Sequence, residues 1–191
     1  MRRAGLPLAY SQGFTPHPRI SMAAPLAIGI TSEAEIMDVF LDRWISAQSF
    51  FQALRNELPQ GIALLETSVI PLDLPSLQSQ LRFCEYRVTA GRSGGPADIA
   101  AALDKFMAES SITWQHVRDT GVRTYDIRAL VNRLWLVSQT DEEVIIGMKL
   151  RNDEAGAGRP EQVLAALGFT GPAKTIRRTR LVLEAPSARK T

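Results

Sequence analysis

Residues 81–90, LRFCEYRVTA, and the loop GRSGGP that follows at 91–96 decide the fold that we predict for this chain. The first stretch alternates between two sets of side chains, which is the period of a β-strand. The loop is rich in glycine and predicts a flexible connection. One face of the strand carries Phe83, Glu85, Arg87 and Thr89, and the other carries Arg82, Cys84, Tyr86 and Val88. A helix is predicted next, over residues 98–109, because its apolar residues recur at helical spacing.

The same mixture of strands and helices extends in both directions. Before residue 81 we predict strands at 20–30, 36–41 and 62–70, and a helix at 47–58 that Ser46 caps. After residue 110 we predict strands at 111–118, 134–139, 143–150 and 175–183, and a helix at 161–167 with Pro160 at its first position.

This order predicts an α+β protein. We expect two small split β-α-β, ferredoxin-like subdomains with mostly antiparallel sheets. The N-terminal subdomain takes residues 1–75, the C-terminal subdomain takes residues 76–185, and residues 186–191 are a disordered tail.

Composition excludes several kinds of chemistry. The 191 residues include one cysteine, Cys84, and two histidines. A single cysteine cannot build a disulfide framework, a cysteine-rich zinc site or an iron–sulfur cage. We expect Cys84 to fill space in the core or at the surface and not to act as a nucleophile. No apolar run approaches the ~20 residues that span a bilayer, and no targeting signal is visible. We expect a cytoplasmic protein that does not enter a membrane.

Charge is uneven along the chain, although the formal net charge is only +2. Both ends are basic, and residues 31–66 are acidic. Arg177, Arg178 and Arg180 lie on a predicted strand, where Arg178 and Arg180 share a face. Such a stripe suits the phosphates of a nucleic acid, but no run of aromatic residues interleaves with it. The alternative is ordinary protection of an edge strand by charge.

The loop QGFTPHPR at 12–19 is the first candidate for substrate binding. Two prolines and a glycine shape the backbone around an imidazole, a guanidinium and an aromatic ring, which together suit a phosphate and a base. The candidate residues are Gln12, Phe14, His17 and Arg19. The alternative is a structural loop that leads into a strand.

Two smaller groups are further candidates for substrate binding. Ser32, Glu33 and Glu35 follow a glycine turn, where paired carboxylates suit acid–base work or a divalent ion. A solvated turn is the alternative. Asp126 and Arg128 lie on one face if their segment is a strand, and they form either a ligand contact or a structural ion pair.

The block RRAGLPLAYSQGFTPHPRI at 2–20, with PLAIGITSEAE at 25–35, resembles the signature of the radical-SAM-linked protein family. The resemblance continues through LPQGI at 58–62, YDIR at 125–128 and IRRT at 176–179, so it spans nearly the whole chain. Members of that family are uncharacterised domains encoded beside, or fused to, cobalamin-binding-type radical SAM proteins, and many lie near a ribonuclease of the E/G type.

The resemblance implies a radical SAM protein as the partner, which carries the iron–sulfur cluster and S-adenosylmethionine. This chain has no cofactor of its own, since one cysteine cannot hold the cluster. The expected function is a non-catalytic accessory or substrate-binding module whose substrate is RNA. The alternative is a stand-alone RNA-processing or RNA-modifying enzyme that uses His17 with Glu33 or Glu35.

Family members normally begin earlier, with a strand and most of a helix before the first block. Relative to them the chain looks truncated at its start. The sheet edge exposed by the missing strand is expected to pair with a partner or to form a homodimer.

Overall fold

A computed structural model describes residues 1–118 and 121–184. Ten strands are described: β1 (Ile20–Met22), β2 (Ile30–Ser32), β3 (Met37–Val39), β4 (Leu81–Gly91), β5 (Thr113–Arg118), β6 (Gly121–Asp126), β7 (Val131–Gln139), β8 (Glu143–Asp153), β9 (Gly156–Ala157) and β10 (Thr175–Leu183). The helices are α1 (Ala47–Arg55), α2 (Leu77–Gln80), α3 (Ile99–Ala108) and α4 (Pro160–Ala166). The tail predicted at 186–191 lies outside the described residues.

The main sheet has the strand order β2-β10-β4-β8-β7, and the short strand β9 pairs with β8. Its pairs are antiparallel except for β2 with β10. Two antiparallel pairs lie apart from it, β1 with β3 and β5 with β6. The α+β class with mostly antiparallel sheets is therefore confirmed.

Local sequence explains where the helices begin. The side chain of Ser46 accepts a hydrogen bond from the backbone of Ser49, and Asp98 does the same for Ala101. These bonds satisfy donors that the first turn of a helix leaves free. Pro160 stands at the start of α4, where its fixed φ suits a helix and its missing N–H costs nothing.

The core lies on one face of the main sheet, which we call the inner face. Val88, Ile146 and Met148 have no exposed surface there. The apolar sides of α3 and α4 belong to the same cluster, through residues such as Phe106 and Leu164. Each such side chain contributes about 1.5–3 kcal/mol by leaving water. Cys84 is 1% exposed, as expected for a core residue.

The segments 1–75 and 76–185 contribute to the same sheet. Strand β2 of the first segment runs parallel to β10 of the second, with Ile30 opposite Ile176. The division into two subdomains at residue 75 stays a prediction.

Two strand predictions are wrong. Residues 62–70 form no strand, since Ile62, Leu65 and Val69 are exposed and no other strand pairs with this segment. Its apolar residues have the pattern of a strand, but no strand among the described residues pairs with this segment. Residues 20–30 form two short strands instead of one, because the chain leaves β1 at Ala23 and Ala24, which turn into the core.

Candidate nucleic-acid interface

The outer face of the main sheet, opposite the core, is open. Along β4, Cys84, Tyr86 and Val88 point to the inner face and are buried. Phe83 and Arg87 point to the outer face, where Phe83 is partly exposed and Arg87 is exposed. The predicted faces of this strand are confirmed from Phe83 to Val88. Arg82 does not share the buried face with Cys84 as predicted, because the register with β10 shifts at this end and Leu81 is buried instead. The helices that complete the core, α3 and α4, contribute to the inner face only.

A β-bulge in β10 separates two of the arginines predicted to act together. Arg178 lies opposite Tyr86, but the next paired residue is Arg180, opposite Glu85. Thr179 is thus the extra residue, and an extra residue reverses the alternation of faces beyond it. Arg178 is 2% exposed on the inner face, whereas Arg180 is exposed on the outer face. The expectation that these two share a face is wrong.

Arg178 is held by the segment that follows β2. Its Nε donates to Oε1 of Glu35 at 2.8 Å, and its Nη2 donates to Oε2 at 2.5 Å. The same guanidinium donates to the backbone oxygens of Ala24 and Pro25, each at 3.3 Å. Burial lowers the pKa of Arg178, but the bond to Glu35 and its charge outweigh that effect, so the pKa is raised overall. Arg178 therefore forms a buried ion pair that joins β10 to the segment after β2, and it has almost no exposed surface to which a phosphate could bind.

Ser32 and Glu33 complete this corner of the sheet. The hydroxyl of Ser32 donates to Oε1 of Glu35 at 2.5 Å. Glu33 accepts from Nη1 of Arg177 at 3.0 Å on the outer side. The structure thus brings Ser32, Glu33 and Glu35 together with two of the arginines: Glu33 pairs with Arg177, and Glu35 pairs with Arg178. A role of these residues in substrate binding stays a prediction.

Like charges lie directly opposite each other on the outer face. Arg177 of β10 is the cross-strand partner of Arg87 of β4, and Lys149 of β8 is the partner of Arg133 of β7. Like charges in this position destabilise a sheet. Within residues 1–118 and 121–184, neither Arg87 nor Arg180 is paired with a carboxylate. Glu85 lies on the same face, opposite both Arg180 and Lys149, and Glu33 pairs with Arg177. The face therefore keeps a net positive charge that these two carboxylates balance only in part.

One aromatic ring on this face is Trp135, which lies over Gly147 of the neighbouring strand. A Cβ at Gly147 would come within 2.0, 2.3 and 2.4 Å of three atoms of the indole. Glycine inside a strand weakens it and often marks a close approach, and here the indole makes that approach. The guanidinium carbon of Arg133 lies 5.4 Å from the ring centroid, within the range of a cation–π contact.

The second ring is Phe83 on β4, which is partly exposed. The Nζ of Lys149 lies 4.9 Å from its centroid. Sequence reasoning missed both rings as partners of the arginines, because they come from separate strands. The alternation at 81–90 placed Phe83 and Arg87 on one face, and that signal alone pointed toward this surface.

The loop predicted to bind substrate projects as a turn between Tyr10 and Pro18, which form an isolated bridge. The hydroxyl of Ser11 accepts from the backbone of His17 at 3.0 Å. Phe14 is fully exposed at 106%. The guanidinium carbon of Arg19 lies 4.3 Å from the Phe40 ring centroid. Gln12, Phe14 and His17 are exposed in this loop, and their role in binding stays a prediction.

Asp126 and Arg128 make structural contacts at the end of β6. Oδ1 of Asp126 accepts from the backbone of Ile112 and of Arg128, each at 2.9 Å. The guanidinium of Arg128 donates to the backbone oxygens of Val131 and Met107, at 2.7 and 3.1 Å. The chain turns at Arg128, so the two residues do not share a strand face. A ligand role for them stays a prediction.

No metal centre is visible in the described ranges, 1–118 and 121–184, since no three side chains of His, Cys, Asp or Glu lie close enough together to hold an ion. In the same ranges no helix has the length and apolar character needed to cross a membrane.

The fold and this surface define an α+β protein whose sheet has a covered inner face and an open, basic outer face. Residues 1–160 match the model of a family described as an uncharacterized protein conserved in bacteria (DUF2344), and the chain belongs to that family. The expectation of an uncharacterised domain family is thereby confirmed, and the association with radical SAM proteins stays a prediction.

A comparison with curated proteins finds no match. Among solved structures, the chain is similar to a chain in a crystal structure of a Cbf5-Nop10-Gar1 complex, with 15% identity and a TM-score of 0.47. The similarity covers 85% of this chain and 40% of that one, so this chain spans about two fifths of the length of that protein.

Proposed function

We propose that this protein is a non-catalytic module that binds a substrate for a radical SAM enzyme and docks on that enzyme. The outer face of the main sheet is the substrate-binding surface, and the substrate is RNA. The partner supplies the iron–sulfur cluster and S-adenosylmethionine. This chain supplies a positively charged surface that holds the substrate in position.

The opposition of Arg177 to Arg87, and of Lys149 to Arg133, is the observation that carries this proposal. Each pair places like charges in direct opposition, and this repulsion is only partly relieved in the free protein, where Glu33 binds Arg177 and Glu85 lies opposite Lys149. A polyanion that lies across the strands removes this repulsion and releases its own counterions. The sheet is thus better suited to hold a nucleic acid than to face water alone.

Docking on a protein partner is supported by the N-terminal part of the chain. Among the described residues, the exposed large apolar side chains lie between Tyr10 and Leu74, apart from Val122, Leu136 and Val137. Phe14, Ile28 and Leu72 are each exposed by more than three quarters, at 106%, 105% and 87%. Concentrations of exposed apolar residues are typical of protein–protein contact sites.

The test of substrate binding measures the affinity of the chain for a fluorescent RNA at several salt concentrations. We expect the logarithm of the binding constant to fall linearly with the logarithm of salt. Arg87→Gln and Arg133→Gln should each reduce the slope by about one. Arg55→Gln, on α1 away from the sheet, is the matched control and should change nothing. A wild-type chain that binds no RNA at low salt would overturn the proposal.

The test of docking is co-purification with the radical SAM protein encoded in the same genome. Retention of the chain by that protein supports the partnership, and separation of the two at low salt contradicts it.

In the alternative function, the chain is an enzyme that uses His17 with Glu33 or Glu35. These two carboxylates are already bound to Arg177 and Arg178. Turnover of RNA by the isolated chain that is lost in His17→Ala would favour that alternative over the module.

A further inference from the structure

We propose that the outer face of the sheet binds single-stranded nucleic acid by stacking bases on Trp135 and Phe83. This inference rests on the proposed function, because it concerns the same surface, and it adds the class of nucleic acid and the two side chains that receive bases. Charge alone attracts any polyanion, whereas aromatic platforms take only ligands that have unstacked rings.

Trp135 is held in an orientation suited to stacking. Three atoms of its indole crowd the position that a Cβ of Gly147 would occupy, at 2.0–2.4 Å. The ring therefore lies against the backbone of β8 and does not stand away from it. A ring that lies against a sheet presents its opposite face outward, which is the arrangement that a base requires. Trp135 is only partly buried, and its outward face is covered in part by the guanidinium of Arg133, a mobile side chain that a base can displace.

Phe83 is placed in a similar setting. It is partly exposed on the outer face, and the Nζ of Lys149 lies 4.9 Å from its centroid. Arg133 lies over Trp135 in the same way, at 5.4 Å. Each ring thus has one cation over its face. A base that stacks on the ring displaces this cation, which then lies beside the base and close to its phosphate. This is the pairing of stacking platform and charge that is typical of single-strand binding surfaces.

The register of the strands spaces the two rings for separate bases. Trp135 pairs with Gly147, which pairs with Arg87, and Phe83 lies four residues from Arg87 along β4. With strands about 4.8 Å apart and a rise of about 3.3 Å per residue, the Cα atoms of Trp135 and Phe83 lie roughly 16 Å apart across the face. Arg87 is in register with Trp135 and shares a strand with Phe83, so a strand that crosses both rings passes close to its guanidinium.

A duplex cannot use this arrangement, because its bases are already stacked and paired. Stacking also tolerates different sugars and sequences, since every base has a π-face. The face should therefore accept single-stranded RNA and single-stranded DNA, and both are included as probes.

The experiment compares the full chain with variants that remove or keep the rings. The probes are fluorescent oligouridylate and oligodeoxythymidylate of about ten nucleotides, an RNA duplex of the same length, and inorganic polyphosphate as a polyanion without bases. Trp135→Leu and Phe83→Leu remove a ring and keep apolar bulk. Trp135→Phe and Phe83→Tyr keep a ring. Trp44→Leu removes an exposed ring away from the sheet. Circular dichroism confirms that each variant is folded.

We expect each leucine variant to weaken binding of both single-stranded probes by about 5- to 150-fold. The ring-keeping variants and Trp44→Leu should bind within about twofold of wild type. Binding of polyphosphate should be unchanged by every aromatic variant, and the duplex should bind more weakly than the single strands. The ratio of the two single-strand affinities then identifies the sugar that the face prefers.

The two proposals fail in different ways. If folded leucine variants bind oligouridylate as wild type does while Arg87→Gln weakens it, stacking is overturned and polyanion binding stands. If the wild-type chain binds none of the probes at low salt, the proposed function fails and this inference fails with it.

Discussion

Arg178 of β10 and Glu35, which follows β2, form a two-pronged ion pair in which the arginine is 2% exposed and the glutamate side chain 25% exposed. This contact joins the N-terminal segment to the sheet at the place where β2 adds to β10 in parallel. Arg178 therefore lies on the inner face, and of the three arginines of β10 only Arg177 and Arg180 lie on the outer face.

The ion pair predicts a marked asymmetry between its two partners. Glu35→Ala leaves a buried guanidinium without its counter-charge and should lower the free energy of unfolding by about 3 kcal/mol. Arg178→Met leaves a carboxylate that still reaches water, so the loss should be smaller. Urea denaturation measures both. A Glu35→Ala variant within about 0.5 kcal/mol of wild type would contradict the fastening role.

The contact of Trp135 with Gly147 predicts a reversal of sign in a double-mutant cycle. Gly147→Ala should destabilise the wild-type chain by about 1–3 kcal/mol, because its Cβ overlaps the indole. In a Trp135→Ala background the same change should be neutral or stabilising, since alanine suits a strand better than glycine. The free energies of unfolding of the four proteins give the coupling. Equal costs in both backgrounds would refute the placement of the ring.

Asp126 predicts a loss of stability in acid. Hydrogen bonds from the backbone N–H of Ile112, and also from that of Arg128, hold its pKa below the ordinary 3.8. A carboxyl whose pKa is lowered on folding stabilises the protein above its unfolded pKa, and that stability is lost as pH falls through the folded pKa. The melting temperature of wild type should therefore drop more between pH 5 and pH 2 than that of Asp126→Asn. Parallel pH profiles would show that the carboxylate contributes nothing.

The bulge at Thr179 predicts an unusual tolerance of deletion. Removal of Thr179 leaves Arg178 opposite Tyr86 and Arg180 opposite Glu85, so every later side chain keeps its face. The variant should fold, as judged by circular dichroism and a cooperative melt. Deletion of Ile146 from β8, where the pairing with β4 is regular, is the control and should abolish folding, because it turns the residues beyond it to the wrong face. Loss of folding in both variants would show that Thr179 is not the extra residue.

Local patterns were sufficient for much of this protein. The alternation at 81–90 correctly separated Phe83 and Arg87 from Cys84 and Val88, because successive side chains of a strand point to opposite faces. Ser46 marked the start of a helix, since capping depends on residues only three positions apart. Such features are written within a few neighbouring residues, and they predicted the α+β class without knowledge of which strands pair.

Pairing decided the rest. The apolar run at 62–70 has the pattern of a strand, yet no neighbour accepts it, and local pattern cannot report a missing partner. Arg178 and Arg180 alternate like a regular strand, but the register with β4 inserts a bulge that turns one inward to Glu35 and the other outward. Trp135 joined the face of Phe83 and Arg87 only because β8 pairs with both β7 and β4. The physical reason is common to all three cases: neighbouring residues set the alternation of side chains along a strand, whereas the partner strand, the interruptions of the register and the companions on each face follow from contacts between segments that are distant in sequence.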